Sequence, residues 1–180
     1  MKKIGVLDIQ GSVEEHFAIL NSISEDRFLP VLVKTQEDIK DLSGLILPGG
    51  ESTTIDKLLQ KFGLDEEIIK QVKNGMAVWG TCAGAIILNK LGLIDIEIER
   101  NAYGGQLHSF ETELEFDSKK ISGIFIRAPK INKVGEDVEV LTKHEGGAVA
   151  VRKNNVLITT FHPELSNYLT VHEYFVKMCI

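Results

Sequence analysis

Four short, continuous apolar runs constrain the fold more than any other feature of this sequence. They are KIGVLDI at 3–9, LPVLVK at 29–34, GLILP at 44–48 and MAVWG at 76–80. Strands that are apolar throughout, rather than at alternate positions, are typical of parallel sheets with helices on both faces. Val13, Phe17 and Leu20 recur at helical spacing between the first two runs. The pattern predicts an α/β fold with a mixed, mainly parallel central sheet in three layers.

Capping residues and glycines indicate where the remaining helices of this half begin and end. After the third run, Ser52, Thr53 and Thr54 are good N-caps, and Gly63 is a plausible stop. The predicted helices span 55 to about 61, 64 to 73 and 84 to 90.

The second half is rich in short strands. The stretches IDIEIER and ETELEF alternate charged and apolar residues, which predicts antiparallel strands with one face in water. Further apolar runs follow as GIFIRA, VEVLTK, GAVAVRK and VLITTFH, and VHEYFVKMCI predicts a closing helix. Since there is no repeat and no linker-like tract, we expect one domain over residues 1–180.

Charge and hydropathy narrow the class of partner. The chain has 180 residues, 43% of them hydrophobic, and a formal net charge of −6. A net negative charge repels phosphate backbones and anionic lipid, so we expect no nucleic acid and no membrane partner. The longest uncharged run, 74–89, is shorter than the roughly 18 residues that span a bilayer. With no apolar signal region, a cytoplasmic location fits best.

Cys82 is a candidate nucleophile because GTCAG at 80–84 lies between a buried strand and a helix. Small neighbours permit a tight turn that exposes the cysteine, and the following helix N-terminus favours a thiolate. A buried apolar cysteine explains the spacing equally well. Cys82 and Cys179 form neither a disulfide framework nor a structural zinc site, so each is a filler or a reactive thiol.

FHPE at 161–164 provides the partners that a nucleophilic thiolate needs. His162 follows an apolar strand, and Glu164 points to the same side if the chain stays extended, which Pro163 favours. We expect the other four histidines, His16, His108, His144 and His172, to be ordinary surface or interface residues. LPGGEST at 47–53 offers backbone N–H groups to an oxyanion, although simple loop punctuation also explains it.

The segments PGGEST, GTCAG and FHPEL, in this order, resemble the class I glutamine amidotransferases. Those proteins hydrolyse glutamine with a Cys–His–Glu triad. At the nucleophile most of them have Gly-x-Cys-x-Gly-x-Gln, whereas this chain has Ile86 in the last position. The segments GVLDIQGSVEEH, ERNAYGGQLHSFE and FIRAP look like those of the glutaminase subunits of pyridoxal 5′-phosphate synthase. The similarity covers nearly the whole chain and implies a flavodoxin-like layout.

The resemblance also implies roles for particular residues. Cys82 corresponds to the nucleophile, His162 to the base and Glu164 to the group that orients it. The positions that match the family's glutamine-binding residues are Gly50, Glu51, Ser52, Arg100, Ile126 and Arg127. A planar arginine suits a substrate carboxylate, although an isolated arginine at a strand end is more often simply solvated.

Two departures from the family pattern concern one loop. Gly105 stands where the family usually has Arg, and His108 where it has Asp, which puts only that loop's contacts in doubt. The segment after Lys90 is shorter than in many relatives, as expected for a trimmed surface loop.

The resemblance implies that the chain hydrolyses L-glutamine to glutamate and ammonia, without cofactor or metal. It also implies a partner, the synthase subunit that uses the ammonia to make pyridoxal 5′-phosphate. An amidotransferase subunit of another pathway, such as imidazole glycerol phosphate synthase, is an alternative that ERNAYG and FIRAP disfavour. A non-catalytic cysteine protein of stress or redox function is the other alternative, but it has no need for FHPE.

Overall fold

The computed structural model describes residues 1–100 and 109–180. The helices are α1 (Val13–Ile23), α2 (Gln36–Ile39), α3 (Ser52–Phe62), α4 (Leu64–Lys73), α5 (Ala83–Lys90) and α6 (Thr170–Cys179). The strands are β1 (Lys2–Leu7), β2 (Phe28–Val33), β3 (Gly44–Leu47), β4 (Ala77–Thr81), β5 (Ile96–Glu99), β6 (Phe110–Phe116), β7 (Lys119–Phe125), β8 (Lys130–Val134), β9 (Glu139–His144), β10 (Gly147–Lys153) and β11 (Val156–Thr159).

A seven-stranded sheet forms the centre, in the order β2-β1-β3-β4-β11-β10-β9. The pairs from β2 through β11 are parallel, and β10 pairs antiparallel with both β11 and β9. The pairs β5–β8 and β6–β7 form separate antiparallel ribbons. The predicted α/β class with a mixed, mainly parallel sheet is confirmed, as is the antiparallel pairing of the two alternating stretches.

Neighbouring residues of the central strands enter different cores. In β3, Leu45 and Leu47 pack with α2, α3, α4 and α5, whereas Ile46 packs with α1 and α6. In β4, Val78 faces the first core and Trp79 the second. This alternation is the reason why the runs are apolar at every position: each strand is covered on both faces.

The run LPVLVK is an exception to burial on both faces. It forms β2 at the edge of the sheet, where Leu29 is 46% and Leu32 41% exposed. Pro30 has no N–H to donate, which an edge strand tolerates. Hydrophobicity alone does not distinguish a central strand from an edge strand, so the expectation of full burial is wrong here.

The ends of α3 were predicted only in part. Gly63 ends the helix in the left-handed region, at φ 64°. The N-cap is Glu51 rather than Ser52, Thr53 or Thr54: its carboxylate accepts the backbone N–H groups of Thr53 and Thr54. The short α2 and the strand β8 were not predicted, since four or five residues show too little periodicity. Among the described helices, none is long and apolar enough to cross a membrane.

Candidate active site

The carboxyl ends of the parallel strands β1, β3, β4 and β11 meet at one edge of the sheet, which is where open α/β folds bind ligands. A cavity of about 510 Å³ lies there. Its lining comes from the segments that follow these strands and from two further loops: Gln10, Gly11, Ser12, Glu15, Gly49, Gly50, Glu51, Ser52, Cys82, Ala83, Ile86, Arg100, Ile126, Arg127, His162 and Leu165.

Cys82 occupies the sharp turn between β4 and α5. Its backbone, at φ 46° and ψ −102°, lies in a region that residues other than glycine rarely adopt. The turn is tight because Gly84 lies against the Leu47 carbonyl, which a Cβ would strike. Cys82 is also the N-cap residue of α5, whose first N–H groups have no partner within the helix. Negative charge on this side chain therefore faces a favourable helix terminus.

His162 and Glu164 form a buried pair beyond the end of β11. His162 Nδ1 lies 2.7 Å from Glu164 Oε1, and the His162 imidazole and the Cys82 Cβ both lie against Gly49, on the same side of that residue. The expected extended geometry is wrong: Pro163–Leu165 is a 3-10 helical turn, and that turn brings the carboxylate back to the ring. The contact between the two side chains exists, but its local structure differs from the prediction.

The protonation states of this pair follow from their mutual contact. Burial would lower the pKa of His162, but the Cys82 and Glu164 side chains outweigh it and raise that pKa to about 10. Burial would raise the pKa of Glu164, but His16, His162 and the Ser12 hydroxyl lower it to about 2. At neutral pH the pair is therefore an imidazolium and a carboxylate.

Gln10 and Ser12, in the loop after β1, support the site, and the sequence analysis did not identify them. The Ser12 hydroxyl donates to Glu164 Oε1 at 2.6 Å, and Gln10 Oε1 accepts the Glu51 N–H at 2.8 Å. Both belong to the stretch QGS at 10–12, in the loop that follows the buried parallel strand β1. That position was the available signal, because loops after parallel strands converge on one edge of the sheet.

The double glycine after β3 has a steric reason. A Cβ on Gly49 would lie 2.5 Å from His162 Cε1 and 3.3 Å from Cys82 Cβ. Any side chain at this position would displace the imidazole. The loop backbone thereby approaches both the nucleophile and the base closely, which simple loop punctuation does not require.

The predicted glutamine-binding residues all line the cavity. Arg100 donates to the Thr53 hydroxyl at 3.0 Å and pairs with Glu51 at 3.4 Å, so the N-terminus of α3 positions its guanidinium. Hydrogen bonds from the Thr54 N–H and hydroxyl, and to a smaller degree the Thr53 N–H and Arg100, lower the pKa of Glu51. In the segment after β7, the Ile126 carbonyl lies 3.9 Å from Cys82 Sγ, and Arg127 has a left-handed φ of 44°.

The expectation for two of the other histidines is wrong. His16 and His172 are fully buried, and His16 Nδ1 lies 2.9 Å from His172 Nε2. The β-sheet brings α1 and α6 together on one face, which neither local sequence reveals. His144 lies at the end of β9 beside the rings of Phe110 and Phe125.

The remaining sequence predictions concern Cys179, the loop in which Gly105 and His108 differ from the family pattern, and metal binding. Cys179 is buried in α6, and burial raises the pKa of its thiol to about 12, as expected of a filler. Gly105 and His108 lie outside the described residues. Within 1–100 and 109–180, no cluster of three or more histidine, cysteine or acidic side chains is arranged to hold a metal.

The α/β fold, with its mixed and mainly parallel sheet, is that of a class I glutamine amidotransferase. The chain belongs to the SNO glutamine amidotransferase family, whose sequence model matches residues 6–180. Curated subunits of pyridoxal 5′-phosphate synthase are similar to this chain over its full length, which confirms the resemblance noted in the sequence.

Curated relatives match over the full chain. A pyridoxal 5′-phosphate synthase subunit PdxT from Clostridium botulinum is 46% identical, covering 100% of this chain and 98% of its own. The protein of the same name from Caldicellulosiruptor saccharolyticus is 49% identical, with 100% of both chains covered. A solved glutamine amidotransferase shares 40% identity and superposes with a TM-score of 0.92, covering 98% of each chain.

Proposed function

We propose that residues 1–180 act as one glutaminase domain that hydrolyses L-glutamine and delivers the ammonia to a synthase subunit for pyridoxal 5′-phosphate formation. The observation that carries the proposal is that the Cys82 turn and the His162–Glu164 pair meet at one cavity, where Cys82 and His162 both lie against Gly49. Family membership and the relatives' names support the same substrate and pathway. No metal or cofactor takes part in the proposed hydrolysis.

In the first half of the reaction, the Cys82 thiolate attacks the side-chain amide carbon of glutamine. The proposed donors to the resulting oxyanion are the first N–H of α5, at Ala83, and the N–H groups of Gly49 and Gly50, all residues that line the cavity. The His162 imidazolium gives its proton to the amide nitrogen. The C–N bond then breaks, ammonia leaves, and a glutamyl thioester with a neutral His162 remains.

In the second half, neutral His162 takes a proton from water while the water oxygen attacks the thioester carbonyl. The C–S bond breaks, glutamate leaves, and the thiolate and imidazolium are restored. Glu164 keeps its negative charge throughout, so it orients the ring and stabilises the imidazolium in the resting enzyme.

The cavity wall has charges that suit a free amino acid. Arg100 and Arg127 are the cations that can bind the substrate carboxylate, and Glu15 and Glu51 are the carboxylates near its ammonium. Gly50, Ser52 and Ile126 complete the proposed glutamine-binding surface.

The synthase subunit is the proposed partner. A glutaminase that released ammonia freely would waste glutamine, so we expect weak activity alone and activation on docking. We expect docking to act on the PGGES loop, residues 48–52. In the free chain, Gln10 Oε1 accepts the Glu51 N–H of this loop, and the Ser12 N–H donates to its Gly49 carbonyl. A cytoplasmic location is part of the proposal, and cell fractionation tests it.

The deciding experiment measures glutamine hydrolysis and pyridoxal 5′-phosphate formation with and without the candidate synthase subunit from the same genome. We expect docking to accelerate hydrolysis, and ammonium salt to support product formation by the synthase subunit alone. The proposal fails if glutamine turnover is equally fast in both cases, or if ammonium cannot replace glutamine. Product formation with an imidazole glycerol phosphate synthase partner instead would favour the other amidotransferase pathway.

A further inference from the structure

His16 and His172 form a buried histidine pair directly behind the proposed triad. His16, from α1, and His172, from α6, are both 0% exposed, and their Nδ1 and Nε2 atoms are 2.9 Å apart. Both rings pack against the Trp79 indole in T-shaped geometry, with centroids 5.4 and 4.8 Å away. The reaction described above uses neither histidine, so their burial requires another explanation.

The pair faces the one carboxylate oxygen that the triad does not use. Both Ser12 and His162 contact Glu164 Oε1. In the part of the chain that the structure describes, Glu164 Oε2 is buried without a hydrogen-bond partner, and His16 Nε2 lies 3.5 Å from it. His16 Nε2 also lies 3.3 Å from the Thr81 hydroxyl, one residue before Cys82. Hydrogen bonds of this kind are often long in a resting enzyme.

Hydrogen-bond chemistry selects one arrangement of protons in this pair. A short contact between two imidazole nitrogens needs one donor and one acceptor. If His16 Nδ1 were the donor, its Nε2 would turn a lone pair toward a carboxylate, and His172 Nδ1–H would be a buried donor without a partner within the described residues. If His172 Nε2–H is the donor instead, His16 Nδ1 is the acceptor, and the proton of the neutral His16 ring is on Nε2. That N–H then faces both the Thr81 hydroxyl and the Glu164 carboxylate. This arrangement leaves only an acceptor, His172 Nδ1, unsatisfied.

We propose that His172 and His16 are positioning residues: His172 fixes the tautomer of His16, and His16 directs Nε2–H at Glu164 Oε2 to hold that carboxylate against His162. The triad thereby continues as a chain of five side chains from Cys82 to His172. This inference rests on the proposed glutaminase function.

The electrostatic surroundings agree with a neutral pair. Burial, and to a lesser degree His162, lower the pKa of His16, while Glu164 and Glu15 act in the opposite direction. Burial and His16 lower the pKa of His172 well below its usual value, against Glu164. Among the described residues, the titratable groups that act on the two rings are thus Glu15 of α1, His162, and Glu164 in the turn at Pro163–Leu165. Both rings are therefore neutral at pH 7, as a donor-to-acceptor chain requires.

The wild-type protein provides the first test. In the 15N-histidine NMR spectrum, His16 should be neutral between pH 7 and 9, with its proton on Nε2. Assignment of the signal uses the His16→Gln variant. A proton on His16 Nδ1, or a charged His16, would overturn the proposal. This measurement does not depend on whether the hydrolysis proposal is correct, so it distinguishes a failure of the one from a failure of the other.

The second test is kinetic and uses the chain with its synthase partner. We expect His172→Phe to lower kcat about tenfold at pH 8 and by more at pH 5, because a less supported Glu164 takes up a proton at higher pH. KM for glutamine should change less than twofold, since neither histidine lines the cavity. His172→Gln, which retains an N–H donor, should recover part of the loss.

A matched control separates positioning from packing. Phe175 lies on the same face of α6, one turn after His172, and also contacts Trp79. Phe175→Leu should lower the free energy of unfolding but leave the pH dependence of kcat unchanged. If His172→Phe lowers kcat by the same factor at every pH, or if Phe175→Leu reproduces its profile, the pair has only a structural role and the proposal is wrong.

Discussion

The two faces of the central sheet have different interiors, although the same strands supply both. On the face covered by α2, α3, α4 and α5, the buried cluster is large and apolar, and the buried polar residues of these helices are Ser52, at the cavity, and Glu67, which binds Gln71 and Lys70 along α4. The face covered by α1 and α6 also has an apolar cluster, but it buries His16, His172 and Thr81 beside Trp79. We call these the apolar face and the histidine face.

The difference shows what each face contributes. Burying a polar group costs free energy unless it is hydrogen-bonded, so polar residues are retained in a core only where they are connected or have a function. On the histidine face, the polar groups lie directly under the Cys82 turn and beside Glu164. The interior of the apolar face therefore contributes mainly stability, and only the N-terminal ends of α3 and α5 enter the cavity. The interior of the histidine face, by contrast, contacts Glu164 and the residue before Cys82 directly.

The largest effect on activity should distinguish the two buried cysteines, Cys82 and Cys179. Cys82→Ala should lower glutamine hydrolysis about ten-thousandfold or more, because the nucleophile is lost while the fold is retained. Cys179→Ala should leave kcat nearly unchanged, because this thiol lies on the histidine face but outside its hydrogen-bonded chain and donates to the Phe175 carbonyl. Steady-state rates and labelling by a glutamine-analogue electrophile measure both. Label on Cys179, or turnover without Cys82, would remove the nucleophile assignment.

The next largest effect on kcat should come from His162 and Glu164, which lie between Cys82 and the histidine face. His162→Ala should reduce kcat by a factor on the order of a thousand, since one residue acts as both acid and base. Glu164→Gln should reduce kcat by less, because an orienting group supplies only part of the triad effect. Both rates are measured with the synthase partner at saturating glutamine. A larger loss from Glu164→Gln than from His162→Ala would contradict the assigned roles.

A substitution on the apolar face should act on stability alone. Ile68 is fully buried in α4, away from the cavity. Ile68→Ala should lower the free energy of unfolding by about 2–5 kcal/mol, through lost burial and the resulting cavity. The kcat per folded molecule and its pH dependence should not change. Urea denaturation and active-site titration measure the two quantities, and Lys73→Ala, an exposed change on the same helix, is the control. A shifted pH profile would show that the two faces are not separable.

Much of the apolar face and the order of its elements could be predicted from the sequence. Continuous apolar runs separated by helical periodicity determine a parallel sheet with two covered faces, and Gly63 ends α3 where its conformational freedom is needed. The exposed part of β2 could not be predicted, because strand order depends on how all the strands pair. Cys82 could be proposed because its local turn has a recognisable sequence.

The histidine face was harder to predict because its contacts join distant segments. His16 and His172 are 156 positions apart, and only the packing of α1 against α6 brings them together. A partial signal existed: His16 shares an apolar helical stripe with Val13 and Leu20, and His172 shares one with Phe175. A histidine on such a stripe is buried, but the stripe does not show which side chain it meets. The contact between Ser12 and Glu164 is long-range in the same way.

The smallest predicted effect tests whether the cavity binds substrate independently of either face. Arg100 is half exposed, at the rim of the cavity, and Thr53 and Glu51 hold it there. Arg100→Ala should raise KM for glutamine about tenfold, the equivalent of one charge-assisted hydrogen bond of about 1.5 kcal/mol, with little change in kcat. Arg152→Ala is the control, because its guanidinium contacts Tyr174 and lies outside the cavity lining. An unchanged KM with a lower kcat would mean that Arg100 acts on the transition state or on partner docking rather than on the substrate carboxylate.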